Sequence, residues 1–313
     1  MRLSVKKPLI IITGPTAVGK TDLSLTLVQE FNGEIISSDS RLFYRGMDIG
    51  TAKPSLEERQ LVKHHLIDIA DINETLNLAV FQQEVYQIAE GLWAEDRVPF
   101  LVGGTGQFVR AIMEGWVIPP EKPNFDLRNT LEHWGNSIGA AALYDKLKIV
   151  DPDAAKNIEP GNLRRTVRAL EVIISTGELF STQRRRQLYG LQFKVVGLIR
   201  DRKELYQRID DRIDKMLEKG FELEVRGILA KGYQPELPAL SAIGYKEMID
   251  FINGKISKDE VTLLMKRRTR QYVRRQANWF KQDDPRIRWF DVSKEIMPEV
   301  KEFILSTKGW QDG

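Results

Sequence analysis

The chain contains no cysteine in 313 residues. That absence excludes disulfides, thiolate zinc sites and a cysteine nucleophile, and it fits a reducing compartment such as the cytoplasm. Histidine is scarce as well. His64 and His65 are neighbours and His133 is remote, so Lys63-His64-His65 reads as structural and not as a metal site. No stretch approaches the roughly 20 apolar residues of a membrane span. The basic start, Met1-Arg-Leu-Ser-Val-Lys-Lys-Pro8, leads into too short an apolar run for a signal-peptide core. The net charge is only +3, so any nucleic-acid reading must rest on local clusters. Repeats and low-complexity tracts are also absent. What remains is a globular composition, 42% hydrophobic and 29% charged, long enough for one large domain or for a core with an insertion. A soluble, cytoplasmic, monomeric protein is expected.

Near the start stands Gly14-Pro15-Thr16-Ala17-Val18-Gly19-Lys20-Thr21, which fits the phosphate-binding pattern G-x-x-x-x-G-K-[ST]. Leu9-Ile-Ile-Ile12 reads as a buried strand leading in. The segment from Asp22 reads as a helix leading out, with Leu23, Leu27 and Val28 on one face. Glycines let backbone N–H groups turn inward, and the helix N-terminus adds partial positive charge. Lys20 then offers a cation to the terminal phosphates, and the Thr21 hydroxyl can ligate Mg²⁺. The motif is that of nucleotide-binding and ATP-binding proteins, but it does not say what carries the phosphates.

Strand–helix alternation continues for the first hundred residues. Glu34-Ile-Ile-Ser37 and His65-to-Ile69 read as strands, Val80–Trp93 as a helix, and Val98-to-Gly104 as a strand again. Such alternation implies an α/β fold: a P-loop NTPase-like parallel sheet with flanking helices. Near Trp116 the texture changes. Pro119, Pro120 and Pro123 interrupt the chain, and helical patterns run to about Leu191. The expected organisation is a core of residues 1–115 and 192–313 with a helical insertion over 116–191. Phe193-to-Arg200 returns as a strand, and the chain from Asp201 reads as mostly helical.

Asp39 follows the second strand, where the carboxyl ends of parallel strands line a ligand crevice. It suits an N-cap or turn, a Mg²⁺ ligand, or a proton acceptor. A strand ending in a metal-holding Asp is missing: Phe100-Leu-Val102 runs into Gly103-Gly104-Thr105-Gly106, and Asp68 is the available substitute. On the helix opening near Asp201, Arg208 and Arg212 project side by side. They either pair with Asp211 and Asp214 or clamp a diphosphate as a guanidinium fork. Lys266 to Phe280 packs six cations and three aromatics into fifteen residues, and Arg164-Arg165 with Arg168 and Arg184-Arg185-Arg186 add further clusters. One basic helix is commonly a solvated face. Three clusters around a phosphate-binding core suit contacts to phosphates and stacked bases of an RNA loop.

With these residues the chain resembles the bacterial tRNA dimethylallyltransferases. The resemblance is carried by Gly14–Thr21; by Ser38-Asp39 through Asp48-Ile-Gly50-Thr51-Ala-Lys53-Pro54; by Leu101-Val-Gly-Gly-Thr105; by Arg168-to-Val172; by Ile243-Gly-Tyr245; and by Thr269-Arg-Gln271 with Arg275-Gln276 and Trp279. It implies transfer of a dimethylallyl group from its diphosphate to the exocyclic amine of the adenosine 3′-adjacent to the anticodon, in tRNAs reading codons that begin with U. It also implies roles for residues. Asp39 matches the general base, Arg212 the catalytic arginine, Thr105 the threonine beside the bound nucleotide, and Thr16–Thr21 the diphosphate cradle with Mg²⁺. Contacts to the tRNA anticodon stem-loop are implied for Asp39, Ser40, Arg41 and Leu42; for Thr105 and Arg128; and for Arg164, Arg165, Thr166, Val167 and Arg168. They are implied also for Ser241, Gly244, Tyr245 and Lys246, and the basic helix adds Arg270, Gln271, Arg274 and Arg275.

Three other readings remain open on residues alone. A P-loop kinase explains Lys20 and Arg212 but neither the basic helices nor the missing strand-end Asp. An isopentenyltransferase of free adenine nucleotides leaves the basic C-terminal half without purpose. An RNA-binding module with a vestigial loop does not need Lys20, Thr21 and Asp39 intact.

Overall fold

In β1 (Leu9–Thr13) every residue is buried. Ile10 and Ile12 pack into one layer and Leu9 and Ile11 into the other, the period-two alternation of a central strand. The computed structural model describes residues 8–116, 124–182 and 192–306. The chain continues through α1 (Lys20–Glu30), β2 (Gly33–Ser37), α2 (Leu56–Leu61), β3 (His64–His65), α3 (Leu78–Ala94), β4 (Val98–Gly103) and α4 (Gly106–Met113). Then come α5 (Phe125–Ile138), α6 (Ala140–Val150), α7 (Pro152–Ala155) and α8 (Leu163–Thr176). β5 (Phe193–Ile199), α9 (Arg202–Glu218) and α10 (Phe221–Ala230) precede a 3₁₀ turn at Pro238–Ser241. The last elements are α11 (Tyr245–Ile252), α12 (Lys258–Trp279), β6 (Ile287–Asp291) and α13 (Met297–Leu305).

The six strands form one parallel sheet in the order β3-β2-β4-β1-β5-β6. β4 lies between β1 and β2, with Thr13 level with Gly103 and Ser37 level with Val102. The turns after these three strands therefore emerge together at the carboxyl edge, where open α/β sheets bind ligands. One face is covered by α1 through Leu23 and Leu27 and by α9 through Leu205, Ile209 and Ile213. The other is covered by α3 through Phe81 and Val85 and by α4 through Phe108 and Ile112.

Two compact units result: residues 1–113 with 190–313, and residues 114–189. The smaller has its own core, built on Leu131, Leu143, Leu147, Val167 and Leu170. Within it Asn162 caps α8 by accepting the Arg165 N–H at 3.1 Å, and Gly177, at φ 74°, ends the helix. No helix among the described residues is long and apolar enough to cross a membrane.

Two local expectations change. The strand expected from His65 to Ile69 is only His64–His65, because Leu66 and Asp68 turn into the left-handed region at φ 58° and 57°. Asp68 is no substitute for a strand-end metal carboxylate, since Lys53 and Arg59 pair with it at 2.6 and 2.8 Å and hold it ionised below its usual range. The C-terminal part is mostly helical, as expected, and Ile287–Asp291 adds an edge strand beside β5. Arg184, Arg185 and Arg186, with Pro119, Pro120 and Pro123, lie outside the described residues.

Lys63 and His65 both turn toward Glu34, a fully buried carboxylate that also pairs with Arg97. Their role is the structural one expected. Removing a partner from a buried charge costs more than neutralising the charge itself. Arg97→Met should therefore lower unfolding free energy by about 3 kcal/mol, and Glu34→Gln by about 1 kcal/mol. Urea denaturation monitored by circular dichroism measures both.

Candidate active site

The first wall is the turn between β1 and α1. Gly14, at φ 153°, lies so close to β5 that an added Cβ would stand 2.7 Å from the Leu198 carbonyl oxygen. Gly19, at φ 113°, turns the chain into the helix. Lys20 lies back along the loop, its Nζ donating to the carbonyls of Gly14 at 2.9 Å and Pro15 at 2.8 Å. Desolvation pulls its pKa down to about 8, against the opposing Asp39 charge and with help from Arg212. From α9, Arg208 Nε donates to the Ala17 carbonyl at 2.9 Å. Arg212 Nη2 donates to the Thr51 carbonyl at 3.1 Å, and desolvation lowers its pKa while Asp39 opposes the shift. The alternative in which these arginines pair with Asp211 and Asp214 is not what the structure shows. Asp211 accepts from Gln207, and Asp214 binds Lys266.

The second wall follows β2. Asp39 Oδ1 accepts the Arg41 N–H at 3.0 Å, the turn contact expected of such an aspartate. No hydrogen bond among the described residues occupies Oδ2. The turn therefore aims the carboxylate and leaves one oxygen available. Arg41 reaches across to the carbonyls of Pro238 and Ala239 at 3.0 and 3.2 Å and to Ser241 Oγ at 3.4 Å. It thus joins the 39–42 segment to the 3₁₀ turn that leads to exposed Lys246.

The third wall follows β4 and is closed by α12. Gln276 is buried. Its Oε1 accepts the Thr16 N–H at 3.0 Å, and its Nε2 donates to the Gly104 carbonyl at 2.8 Å. One amide thereby ties α12 to the phosphate loop and to the Gly-Gly turn. One helical turn earlier, Tyr272 stands beside Thr105, whose Oγ1 accepts the Ser40 N–H at 3.4 Å. Desolvation and the Asp39 charge push the Tyr272 phenol up to about 12, so it stays protonated at neutral pH. Gly106 permits close packing, since a Cβ there would meet the Trp279 ring at 2.2 Å.

Thr21 stands exposed on the first turn of α1. A hydroxyl at that place fits Mg²⁺, which favours few protein ligands together with substrate phosphate oxygens and water. No cluster of three or more His, Asp or Glu side chains suited to a metal occurs among the described residues.

Comparison with known proteins gives this arrangement its family. Residues 42–283 match the family model described as IPP transferase. The tRNA dimethylallyltransferase of Halothermothrix orenii is 41% identical over 301 residues, covering 94% of this chain and 92% of its own. That of Roseiflexus sp. is 47% identical over 274 residues, covering 88% and 90%. The chain belongs to the IPP transferase family. The full-length tRNA isopentenylpyrophosphate transferase of Bacillus halodurans superposes with a TM-score of 0.70 at 40% identity, over 96% of this chain and 95% of that one. A eukaryotic dimethylallyltransferase acting on tRNA gives 0.79 at 28% identity, over 95% and 78%.

Several residues expected to touch RNA are committed elsewhere. Tyr245 is fully buried and donates its hydroxyl to Glu224 at 2.6 Å, while Gly244 is buried beside Met265 and Phe221. Thr166 and Val167 are buried in the smaller unit, so their side chains cannot meet a bound macromolecule. There, Arg128 and Arg168 both pair with Glu171, a carboxylate only 1% exposed. Arg164 and Arg165 remain exposed. On α12, Lys266 pairs with Asp214, Arg268 with Glu247, and Arg270 with Asp210 while lying over the Tyr206 ring. Gln271 is partly buried, and Arg267, Arg274 and Arg275 are exposed.

The sequence counts Tyr272 only among the aromatics of a basic helix and Gln276 only among the residues that carry the resemblance, with no individual role for either. The available signal was polarity on an apolar stripe: Val261, Met265 and Val273 are buried, and Gln276 continues their face.

Lys20 is charged below about pH 8 and loses its proton as pH rises through that value. An anion in the loop then loses a cationic partner. Affinity for inorganic diphosphate, measured by calorimetry, should therefore fall as pH is raised through about 8. In Lys20→Arg, whose guanidinium stays protonated, that fall should disappear.

Proposed function

We propose that this chain is a tRNA dimethylallyltransferase acting on the adenosine 3′-adjacent to the anticodon in tRNAs that read codons beginning with U. Dimethylallyl diphosphate is the donor and diphosphate the leaving group. The observation that carries this reading is the Gln276 bridge. A helix with exposed Arg267, Arg274 and Arg275 inserts a buried amide into the phosphate loop itself. A small-molecule kinase has no need of such a wall.

The adenine amine is a poor nucleophile because its lone pair is delocalised into the ring. As diphosphate leaves, positive charge spreads over the allyl unit and negative charge builds on the leaving oxygens. On this reading Lys20, the loop amides and Arg212 meet that negative charge, and the desolvation of both cations supports it. Bound Mg²⁺, held by Thr21 and the diphosphate, would neutralise further charge there. Asp39 accepts a hydrogen bond from the amine and then its proton as the C–N bond forms. A carboxylate is a weak base beside an amine, so orientation is the larger contribution of Asp39. A base stacked in a loop cannot reach this crevice, so the adenosine must be flipped out, and it then excludes water from the allyl cation.

The RNA surface is supported by exposed arginines that pair with no carboxylate among the described residues. Arg164 and Arg165 occupy the first turn of α8, where cations oppose the helix dipole. Folding alone gives no reason for them, whereas a phosphate backbone does. Ser40, Arg41 and Leu42, with Ser241 and Lys246, form a second contact region linked by Arg41. The expectation of a cytoplasmic monomer belongs to the same reading.

Asp39→Asn should lower kcat by about 10²–10⁴-fold while stem-loop affinity changes less than about twofold; equal loss of both would remove its assigned role. The triple change Arg267→Gln, Arg274→Gln, Arg275→Gln should weaken stem-loop binding and reduce the slope of log K against log salt by about 2, as expected for losing three phosphate contacts. An unchanged slope would exclude α12 from the RNA surface.

A further inference from the structure

Arg212 supplies a guanidinium to the site from α9, and the hydrogen bond that orients it goes to a backbone carbonyl, that of Thr51. A partly buried cation held by one neutral acceptor can be no better placed than that acceptor. The position of the 48–51 turn therefore decides where the charge points.

That turn is anchored in an unusual way. Three successive amides converge on one carboxylate: Asp48 N–H and Ile49 N–H donate to Glu224 Oε2 at 2.8 and 2.6 Å, and Gly50 N–H donates to Oε1 at 3.2 Å. Tyr245 adds its hydroxyl to Oε1 at 2.6 Å. Converging amides of this kind form an anion-binding nest, and here the anion comes from the protein's own α10. Gly50 presses against the same support, since a Cβ there would stand 2.2 Å from the Phe221 ring. Charge-assisted bonds to backbone N–H groups are about twice as strong as neutral ones, so the turn is held harder than its own backbone would hold it.

We infer that Glu224 is a positioning residue for Arg212: by gripping the amides of residues 48–50 it sets the Thr51 carbonyl, which sets the guanidinium over the diphosphate. The inference rests on the reading of the site as a diphosphate cradle. It goes beyond that reading in assigning a function to a carboxylate that touches no substrate.

A double-mutant cycle tests it with two readouts: inorganic diphosphate binding by calorimetry, and prenyl transfer to an anticodon stem-loop. Glu224→Gln, which keeps size but cannot accept from three amides and a hydroxyl, should weaken diphosphate binding about tenfold. It should lower kcat by about tenfold or more, with the KM for stem-loop unchanged. In an Arg212→Met background the same substitution should change neither quantity. An equal loss in both backgrounds would show that Glu224 acts independently of Arg212 and would overturn the inference, as would no loss with Arg212 present. Should Glu224→Gln fail to fold, Tyr245→Phe enters the same cycle. A smaller loss that vanishes without Arg212 supports the inference, and a loss that persists overturns it. The binding readout needs no catalysis, so a wild-type protein that binds diphosphate but transfers nothing would defeat the proposed reaction while the cycle still decides the role of Glu224.

Discussion

Desolvated positive charge at the carboxyl edge of a parallel sheet is the constraint on which this structure turns. Lys20 and Arg212 are both held at a cost, each with its charged form disfavoured by its surroundings and each steadied by backbone carbonyls. Asp39, close enough for both cations to feel its charge, offsets part of that cost. On the proposed reading an arriving diphosphate would offset more, because it would restore to two cations the partners that water would have given them. The same low dielectric that disfavours two neighbouring cations strengthens their attraction for an anion. The remaining architecture keeps the three groups at that spacing: the strand order places their turns side by side, and α9 and α12 close the sides.

The division of labour within the crevice follows from charge. Nucleotide kinases built on such a loop place a metal-holding carboxylate at a strand end. Here β4 ends in glycines and a threonine, and the carboxylate stands after β2 instead. A donor that develops carbocation character requires an acceptor for an amine proton and a surface that shuts out water. Asp39 is suited to the first task. The wall made by Tyr272, Thr105 and Gln276 is suited to the second, because Gln276 is bonded on both sides to backbone and Thr105 accepts the Ser40 N–H.

Much of this was legible in the amino-acid order, and what was not has a common cause. β1, its loop and α1 are local: hydrophobic run, glycines and amphipathic period sit within thirty residues and agree with one another. β2, β4, β5 and the apolar stripe of α9 were read for the same reason. β6 was missed because Ile287-Arg-Trp-Phe-Asp291 is short and takes its meaning from β5, far away in the chain. The strand at His65 was overextended because an apolar run gives no sign of the left-handed residues Leu66 and Asp68. Charge was the least legible property. Arg128, Arg168 and Tyr245 were all expected to meet tRNA, but a buried Glu171 pairs with both arginines and Glu224 takes the Tyr245 hydroxyl. Gln276 gains its role from a loop 260 residues away. A pattern along one helix shows that such a residue is buried but not what it meets.

The most direct test of the account follows the fate of the donor. Purified protein is given Mg²⁺, an unmodified anticodon stem-loop and dimethylallyl diphosphate labelled in its prenyl group, with ATP present as a competitor for the loop. The account predicts that the label passes to the base of the adenosine beside the anticodon, with inorganic diphosphate released in equal amount and ATP left intact. Label that stays on the diphosphate, or phosphate transferred from ATP in its place, would contradict it.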